Sequence, residues 1–329
     1  MRPNCCGCGR PPEFGIVRFA IYGVGGVGGL FGALLIRSGV ETGFIARGKH
    51  LAAIRKNGLT VSSPSGEMQV SPFLATDEPG RLGGADVVLL CVKAEQVTDA
   101  ASRIKPLLLP ETVVIPLQNG VEAAEQVRSV IPSERVLAGL CGMMSWVAAP
   151  GHVRTLGNVG FIKFGEADNR LSERVLRLRE VFTAAGIDAE IPADIDVAQW
   201  EKFLFIASLG GVAAVNNEAF GVIRDNPDSR RMLELAMTEI RDLGVARGVR
   251  LDDAVVQRTM GFVDELPETA TASLQRDIAD GKPSELEAWS GAVVRLGRAA
   301  GMSTPVHDFI YETLLPKETA ARQAQIGSS

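Results

Sequence analysis

The chain has 329 residues, 46% of them hydrophobic and 22% charged, with a net charge of -5 at pH 7. That length carries two domains with ample core, and the composition is that of a soluble globular protein. A sequence pI near 5.5 argues against nucleic acid or an anionic membrane as the main partner.

The N-terminal stretch 1–15, MRPNCCGCGRPPEFG, holds Cys5, Cys6 and Cys8. No apolar run follows its arginine, so it is not a secretory leader. The CCGC cluster has no second ligand group, and His50, His152 and His307 stand alone. It reads as a disordered tail, and no metal is expected. Cys91 and Cys141 lie in apolar runs and read as core residues.

Residues 16–193 form the first expected domain. Val17–Tyr22 is strand-like, and a glycine loop then opens a helix through about Ser38. Glu41–Ala46, Asp86–Val92 and Thr112–Leu117 are further apolar strands, with a helical stretch at 94–108. Such strands separated by helices indicate a parallel sheet covered on both faces. Between about 136 and 165, Gly and Pro turns separate short strands, which predicts an antiparallel extension of that sheet. A helix at 171–186 and a short strand with a linker complete this half.

From 194 the strand signal disappears. Apolar periodicity near 3.6 recurs at 194–215, 228–247, 252–264, 271–280, 284–300 and 304–315. We expect an all-helical domain over 194–318 and a flexible tail over 319–329. The apolar run 203–215 is shorter than the roughly 20 residues a membrane span needs. The chain is read as cytoplasmic, with no membrane partner. No feature marks an oligomer interface; a homodimer through the helical half stays open.

The loop AIYGVGGVGG places Gly23-x-Gly25-x-x-Gly28 after a strand and before a helix. The first glycine makes the turn, the second admits a pyrophosphate, and the third lets helix and strand pack, with the helix N-terminus facing the anion. Gly26 and Val27 complete the loop. At the end of the second strand a carboxylate would hold the ribose diol of NAD. This chain instead has FIARGKH, with Arg47 and Lys49. A guanidinium suits a 2′-phosphate, so NADP(H) is the expected cofactor. The loops at Lys93 and at Gln118-Asn119-Gly120 follow strands and should reach the same crevice. Lys93 is placed for cofactor phosphate or substrate, and Asn119 for the nicotinamide ribose or a substrate oxygen. A helix-start lysine and a turn Asn-Gly are the alternative readings.

Together, GVGGVG at 23–28, ARGKH at 46–50, CVKAEQ at 91–96, LQNG at 117–120, WEKFLF at 200–205 and SLQRDIADGKPSELEAWSG at 273–291 make the chain resemble the ketopantoate reductase (2-dehydropantoate 2-reductase) family. The resemblance covers nearly everything after residue 16. It implies an NADPH-dependent reduction of a 2-oxo acid to a 2-hydroxy acid, on a dinucleotide-binding sheet followed by a helical domain. It also implies that Lys202 is the catalytic lysine, Ser273 the substrate serine, and Glu285 the active-site glutamate, within reach of the cofactor. Asn119 and Lys93 match positions near the nicotinamide and substrate.

Read alone, Lys202 is a solvated helix residue, Ser273 a helix-start residue, and Glu285, two residues after Pro283, a first-turn helix residue. The chemistry favours the other reading. Hydride addition to a ketone leaves an oxyanion, and a lysine in an apolar setting supplies both a cation and a proton. A nearby glutamate would hold the ammonium and counter its charge. One departure stands out. Family members commonly carry asparagines one and two helical turns after the lysine, where this chain has Ile206 and Gly210. A more apolar or bulkier substrate is therefore expected, with Asn216, Asn217 or the Ser208 hydroxyl as candidate substitutes. A non-catalytic NADPH sensor and a 3-hydroxy-acid dehydrogenase are the competing functions.

Overall fold

The computed structural model describes residues 17–156 and 160–327. The expected N-terminal tail, with its CCGC cluster, lies outside the described residues. In chain order the first half runs β1 (Arg18–Tyr22), α1 (Gly26–Arg37), β2 (Glu41–Ile45), α2 (Gly48–Asn57), β3 (Leu59–Ser63), β4 (Gly66–Val70), β5 (Ala75–Thr76), β6 (Ala85–Leu90), α3 (Val97–Arg103), β7 (Leu108–Pro116) and α4 (Ala123–Arg128). It continues through β8 (Ala138–Gly142), β9 (Ser145–Ala149), β10 (His152–Thr155), β11 (Phe161–Gly165), α5 (Glu173–Ala184) and β12 (Asp188–Glu190).

Five strands form a parallel sheet in the order β5-β2-β1-β6-β7. Phe19, Ala20 and Ile21 of the central β1 are fully buried, as a strand covered on both faces requires. The chain leaves β1 toward β2 on one side and later returns to β6 on the other. The crevice for a ligand therefore opens beyond the carboxyl ends of β1 and β6.

The antiparallel strands do not extend this sheet; they form two others. One has the order β4-β3-β10-β9, with β10 running parallel to β3, and the other the order β12-β11-β8. The hairpin β3–β4, whose turn ends at Gly66 with φ +131°, supplies an edge that β10 takes up. A parallel bridge, Val114–Val136, ties β7 to the segment leading into β8.

The second half is helical: α6 (Ile195–Asn216), α7 (Phe220–Asp225), α8 (Pro227–Ala246), α9 (Val255–Asp264), α10 (Ser273–Ala279), α11 (Ser290–Ala299) and α12 (Pro305–Gly327). The Asp194 carboxylate accepts the N–H groups of Asp196 and Val197, each at 3.1 Å, and so caps α6. This helix is central, with Phe203, Leu204, Ala207, Val212 and Ala213 all fully buried.

Two expectations for this half fail. The helix expected from 284 begins at Ser290, leaving Glu285 in a turn. The expected tail from 319 is instead the last two turns of α12, which continues to Gly327 and buries Glu318 and Ala321. Among the described residues no helix is long and apolar enough to cross a membrane, and no cluster of three His, Cys, Asp or Glu is placed to hold a metal.

Close packing at the start of α1 is tested by Gly28→Ala. The added Cβ would lie 2.1 Å from the Gly23 carbonyl oxygen and 2.8 Å from the Ile21 side chain. A loss of about 1–3 kcal/mol in denaturant unfolding is expected, the usual cost of overpacking; unchanged stability would mean that α1 does not sit this tightly on β1.

Candidate active site

Each loop glycine has its own surroundings. Gly23 turns the chain at φ +95°, where a Cβ would lie 2.9 Å from the Cys91 carbonyl. Gly26 rests on β9, with its Cβ position 2.3 Å from the Ser145 carbonyl oxygen, while a Cβ at Gly25 would meet nothing within 4 Å. Gly25 is also the N-cap of α1 and offers no side-chain cap. The first N–H groups of α1 thus have no side-chain cap, and Gly25 before them has open space around it, as an anion site requires. Val27 is half-buried on the first turn of that helix.

At the end of β2, Arg47 is the extended N-cap of α2, again with no side-chain cap. Arg47 and Lys49 are exposed, and neither has an ion-pair partner among the described residues. The helix α2 is not among the expected elements; it opens on Gly48 at φ +57° and buries only Leu51 and Ile54. A second uncapped helix start therefore stands beside the two cations.

Across the crevice, Lys202 projects from α6 toward the parallel-sheet half. Its Nζ donates to Asn119 Oδ1 at 2.8 Å and to the Cys141 carbonyl on β8. One turn earlier on the same helix, Gln199 Nε2 donates to the Gly139 carbonyl at 3.0 Å. β8 is the outer strand of its sheet, which leaves one edge free to receive these side chains. An ammonium has three protons, and the third has no protein partner among the described residues. Burial pulls the Lys202 pKa below the usual lysine range, and the opposing influences of Cys141 and Glu285 do not cancel it.

Asn119 carries the chain of contacts onward, its Nδ2 donating to Glu285 Oε2 at 3.0 Å. Burial pushes the Glu285 carboxyl above its usual range, opposed by Asn119, Lys93 and Lys202. The glutamate was expected to hold the ammonium directly; instead the Asn119 amide stands between them. Lys93 Nζ bonds the Pro283 carbonyl at 3.1 Å, two residues before Glu285. An open cleft of about 80 Å³ borders Asn119 and Glu285.

With this geometry in place, the comparisons with known proteins are direct. Residues 19–169 match the family described as Ketopantoate reductase PanE/ApbA, and residues 194–318 match its C-terminal counterpart. The chain belongs to the ketopantoate reductase family. A 2-dehydropantoate 2-reductase from Mesorhizobium japonicum is 31% identical over 89% of this chain and 95% of its own length. The crystal structure of a PanE/ApbA family ketopantoate reductase from Ralstonia eutropha JMP134 is 30% identical, with a TM-score of 0.84 over 93% of this chain and all of that one. D-mandelate dehydrogenase, solved with NADH and anilino(oxo)acetate, shares the fold at a TM-score of 0.84 and 21% identity, over 93% of this chain and 100% of that one. The family is one of 2-oxo acid reductases, so the chain belongs to an oxidoreductase family.

Within this ketopantoate reductase fold, Lys202, Asn119 and Glu285 form one connected set, with Lys93 beside it. Ser273 stands apart: it is the exposed first residue of α10, its hydroxyl has no hydrogen-bond partner among the described residues, and it follows Ala272, which packs near Gly210. Of the candidate substitutes for the missing asparagines, Asn216 and Asn217 do not reach Lys202. Asn216 and Asn217 are exposed at the far end of α6, about 21 Å along the axis from Lys202 at 1.5 Å per residue. Asn216 Nδ2 is already bonded to the Val212 carbonyl at 2.9 Å. Ser208 is fully buried, and its Oγ has no hydrogen-bond partner among the described residues.

Three contributors escaped the sequence reading. The Cys141 carbonyl is one, and no side-chain pattern marks a backbone acceptor. Another is Gln118, whose Nε2 donates to the Leu90 and Val92 carbonyls at 2.9 Å each, locking the β7 loop to the β6 loop. Its place beside Asn119 was the available signal. The last is the anchoring of Ser284 by α12, which sequence separation conceals.

Replacing Asn119 by Asp tests the connected set. A second carboxylate would repel Glu285 and favour the charged form of Lys202. The basic limb of the pH–rate profile for carbonyl reduction should move to higher pH, with a fall in kcat of about 10-fold or more. A profile that does not move would show that Asn119 and Lys202 do not interact in solution.

Proposed function

We propose that this chain reduces a 2-oxo acid to its 2-hydroxy acid using NADPH, with Lys202 as proton donor. The observation that carries the reading is the Lys202 ammonium. It is half-buried on an apolar helix, with two protons fixed by Asn119 and Cys141 and the third without a partner among the described residues. The residues present fit the cofactor: open space before the uncapped α1, cations at the end of β2, and Asn119 at the end of β7. When bound, the nicotinamide supplies the hydride. The chain supplies the rest. Lys202 aims a donor at the developing oxyanion and then gives it a proton. Burial lowers its pKa, which makes that transfer easier near neutral pH. Asn119 keeps the ammonium in position, and Glu285 adds a compensating charge.

Arg47 and Lys49 favour NADPH over NADH, because a 2′-phosphate would be their counter-charge. On the substrate side, Ile206 and Gly210 follow Lys202 by one and two turns. The Gly210 Cβ position lies 2.6 Å from the Trp289 ring, so the indole fills the space an asparagine would need. The glycine therefore leaves no added room, and a bulkier group is not accommodated there. What remains is an apolar wall, and the preferred 2-oxo acid is more apolar beside its carbonyl than ketopantoate.

Lys202→Ala should lower kcat for NADPH-dependent reduction by about 10²-fold or more, the scale of general acid catalysis; a loss under about threefold would reject the role. In wild-type enzyme the rate should fall as pH rises through the lowered Lys202 pKa, since only the ammonium can donate. Arg47→Ala should raise KM for NADPH far more than KM for NADH, and equal effects would count against the phosphate contact. Across a series of 2-oxo acids followed by NADPH absorbance, aliphatic compounds no larger than ketopantoate but lacking its hydroxyl should exceed ketopantoate in kcat/KM; preference for ketopantoate would refute the apolar wall.

A further inference from the structure

The last two turns of α12 reach the turn that carries Glu285. Glu318 is only 3% exposed and Ser284 not at all. The two Glu318 carboxylate oxygens accept the Ser284 backbone N–H at 3.2 and 3.0 Å, and Oε2 also accepts the Ser284 hydroxyl at 2.5 Å. Arg322, one turn on, donates to Glu318 Oε1 at 2.6 Å through Nε and to the Ser284 carbonyl at 3.1 Å. Every polar atom of the residue preceding Glu285 is thus held by one pair of side chains. The Ser284 hydroxyl also accepts the Leu286 N–H at 3.3 Å, and Lys93 holds the Pro283 carbonyl. The backbone is therefore tied down on both sides of Glu285.

A buried carboxylate–guanidinium pair is a weak source of stability, because desolvation offsets most of the attraction, and apolar residues often serve better. Its value lies in direction: a carboxylate with three fixed donors sets the turn more tightly than apolar packing would. Glu285 cannot correct an error in its own backbone, since its side chain is already committed to Asn119.

We infer that Glu318 and Arg322 are positioning residues for Glu285, acting through Ser284, so that the end of the C-terminal helix belongs to the reductase centre. This rests on the reading of Lys202 and Glu285 as that centre. Displacing the Ser284 turn moves the Glu285 carboxylate away from Asn119 and releases the amide that steadies Lys202.

The test uses the full chain and the variants Ser284→Ala, Glu318→Ala and Glu318→Gln, with Arg298→Ala as a control in an exposed ion pair with Asp308. Three quantities are read: kcat with NADPH, the dissociation constant of 2′-phospho-ADP-ribose, which lacks nicotinamide, and the melting temperature. Ser284→Ala and Glu318→Ala should lower kcat by about 10-fold or more, within the roughly 10²-fold that a 1 Å misplacement costs. Affinity for 2′-phospho-ADP-ribose should stay within about twofold, because the glycine loop and Arg47 are untouched. Glu318→Gln keeps an acceptor for Ser284 and should recover most of the loss, while Arg298→Ala should match wild type.

A folded Ser284→Ala enzyme with full kcat overturns the inference, as does a Glu318→Gln enzyme no better than Glu318→Ala at equal melting temperature. If Glu318→Ala does not fold, Ser284→Ala decides alone. A wild-type enzyme indifferent to Lys202→Ala would instead sink the underlying reading.

Discussion

The site depends on the orientation of one amide. A lysine ammonium only donates hydrogen bonds and an ionised carboxylate only accepts them. An asparagine between the two has a single satisfied orientation, oxygen toward Lys202 and nitrogen toward Glu285, and that is the orientation found. The amide sits at the carboxyl end of β7, while its partners come from α6 and from the turn before α11. One side chain therefore registers both halves of the molecule against each other. It is itself held from below by Gln118 and from the side by Gly120, which turns at φ +103° with its Cβ position 3.2 Å from the Ala288 carbonyl oxygen.

Burial then acts on the two ends of this set in opposite senses. The same loss of water lowers the Lys202 pKa and raises that of Glu285, because each charged form is disfavoured. Each group partly restores the other, and Lys93 adds to the restoration at Glu285. Both proton affinities move toward neutrality, which is where proton exchange with a substrate oxygen is easiest. On the proposed role of Lys202, the apolar character of α6 is thus a condition of the chemistry as well as of packing. A lysine on a polar, solvated helix would keep its ordinary pKa and hold its proton too tightly.

Local physics was legible in the sequence, and long-range pairing was not. The glycine loop, the central strands and the long helices α6 and α8 announce themselves through turn chemistry and periodicity. Lys202, Asn119 and Glu285 were nameable because each sits in a distinctive short motif. That Asn119 would separate the other two was not legible, since three segments far apart in sequence meet there. The same limit hid the pairing of β10 with β3, which turns an expected sheet extension into separate sheets. Glu285 was read onto a helix because Pro283 imitates a helix start, whereas Ser284 is occupied by Glu318 and the helix waits until Ser290. The end of α12 looked like a polar tail because its one deeply buried charge, Glu318, has partners that no local pattern reveals. Ser273 marks a different limit: a motif locates a residue in the chain without fixing where its side chain is used.

The departures on α6 follow from packing. At position 210 a side chain is excluded because the Trp289 ring already lies against the backbone. Trp289 belongs to the turn that Glu285 opens, its N–H bonded to the Glu285 carbonyl at 3.0 Å. The glycine at 210 and the indole that fills the space beside it are therefore coupled features. Lys202 lies two turns earlier on the same helix, and its bonds to Asn119 and Cys141 involve neither position. The turn that carries Glu285 therefore links Trp289 to the Lys202–Asn119–Glu285 set, while the two bonds that hold the ammonium are made elsewhere. On the proposed roles, the residues at positions 206 and 210 bear on the substrate side, while the ammonium and the amide bonded to it are held independently of them.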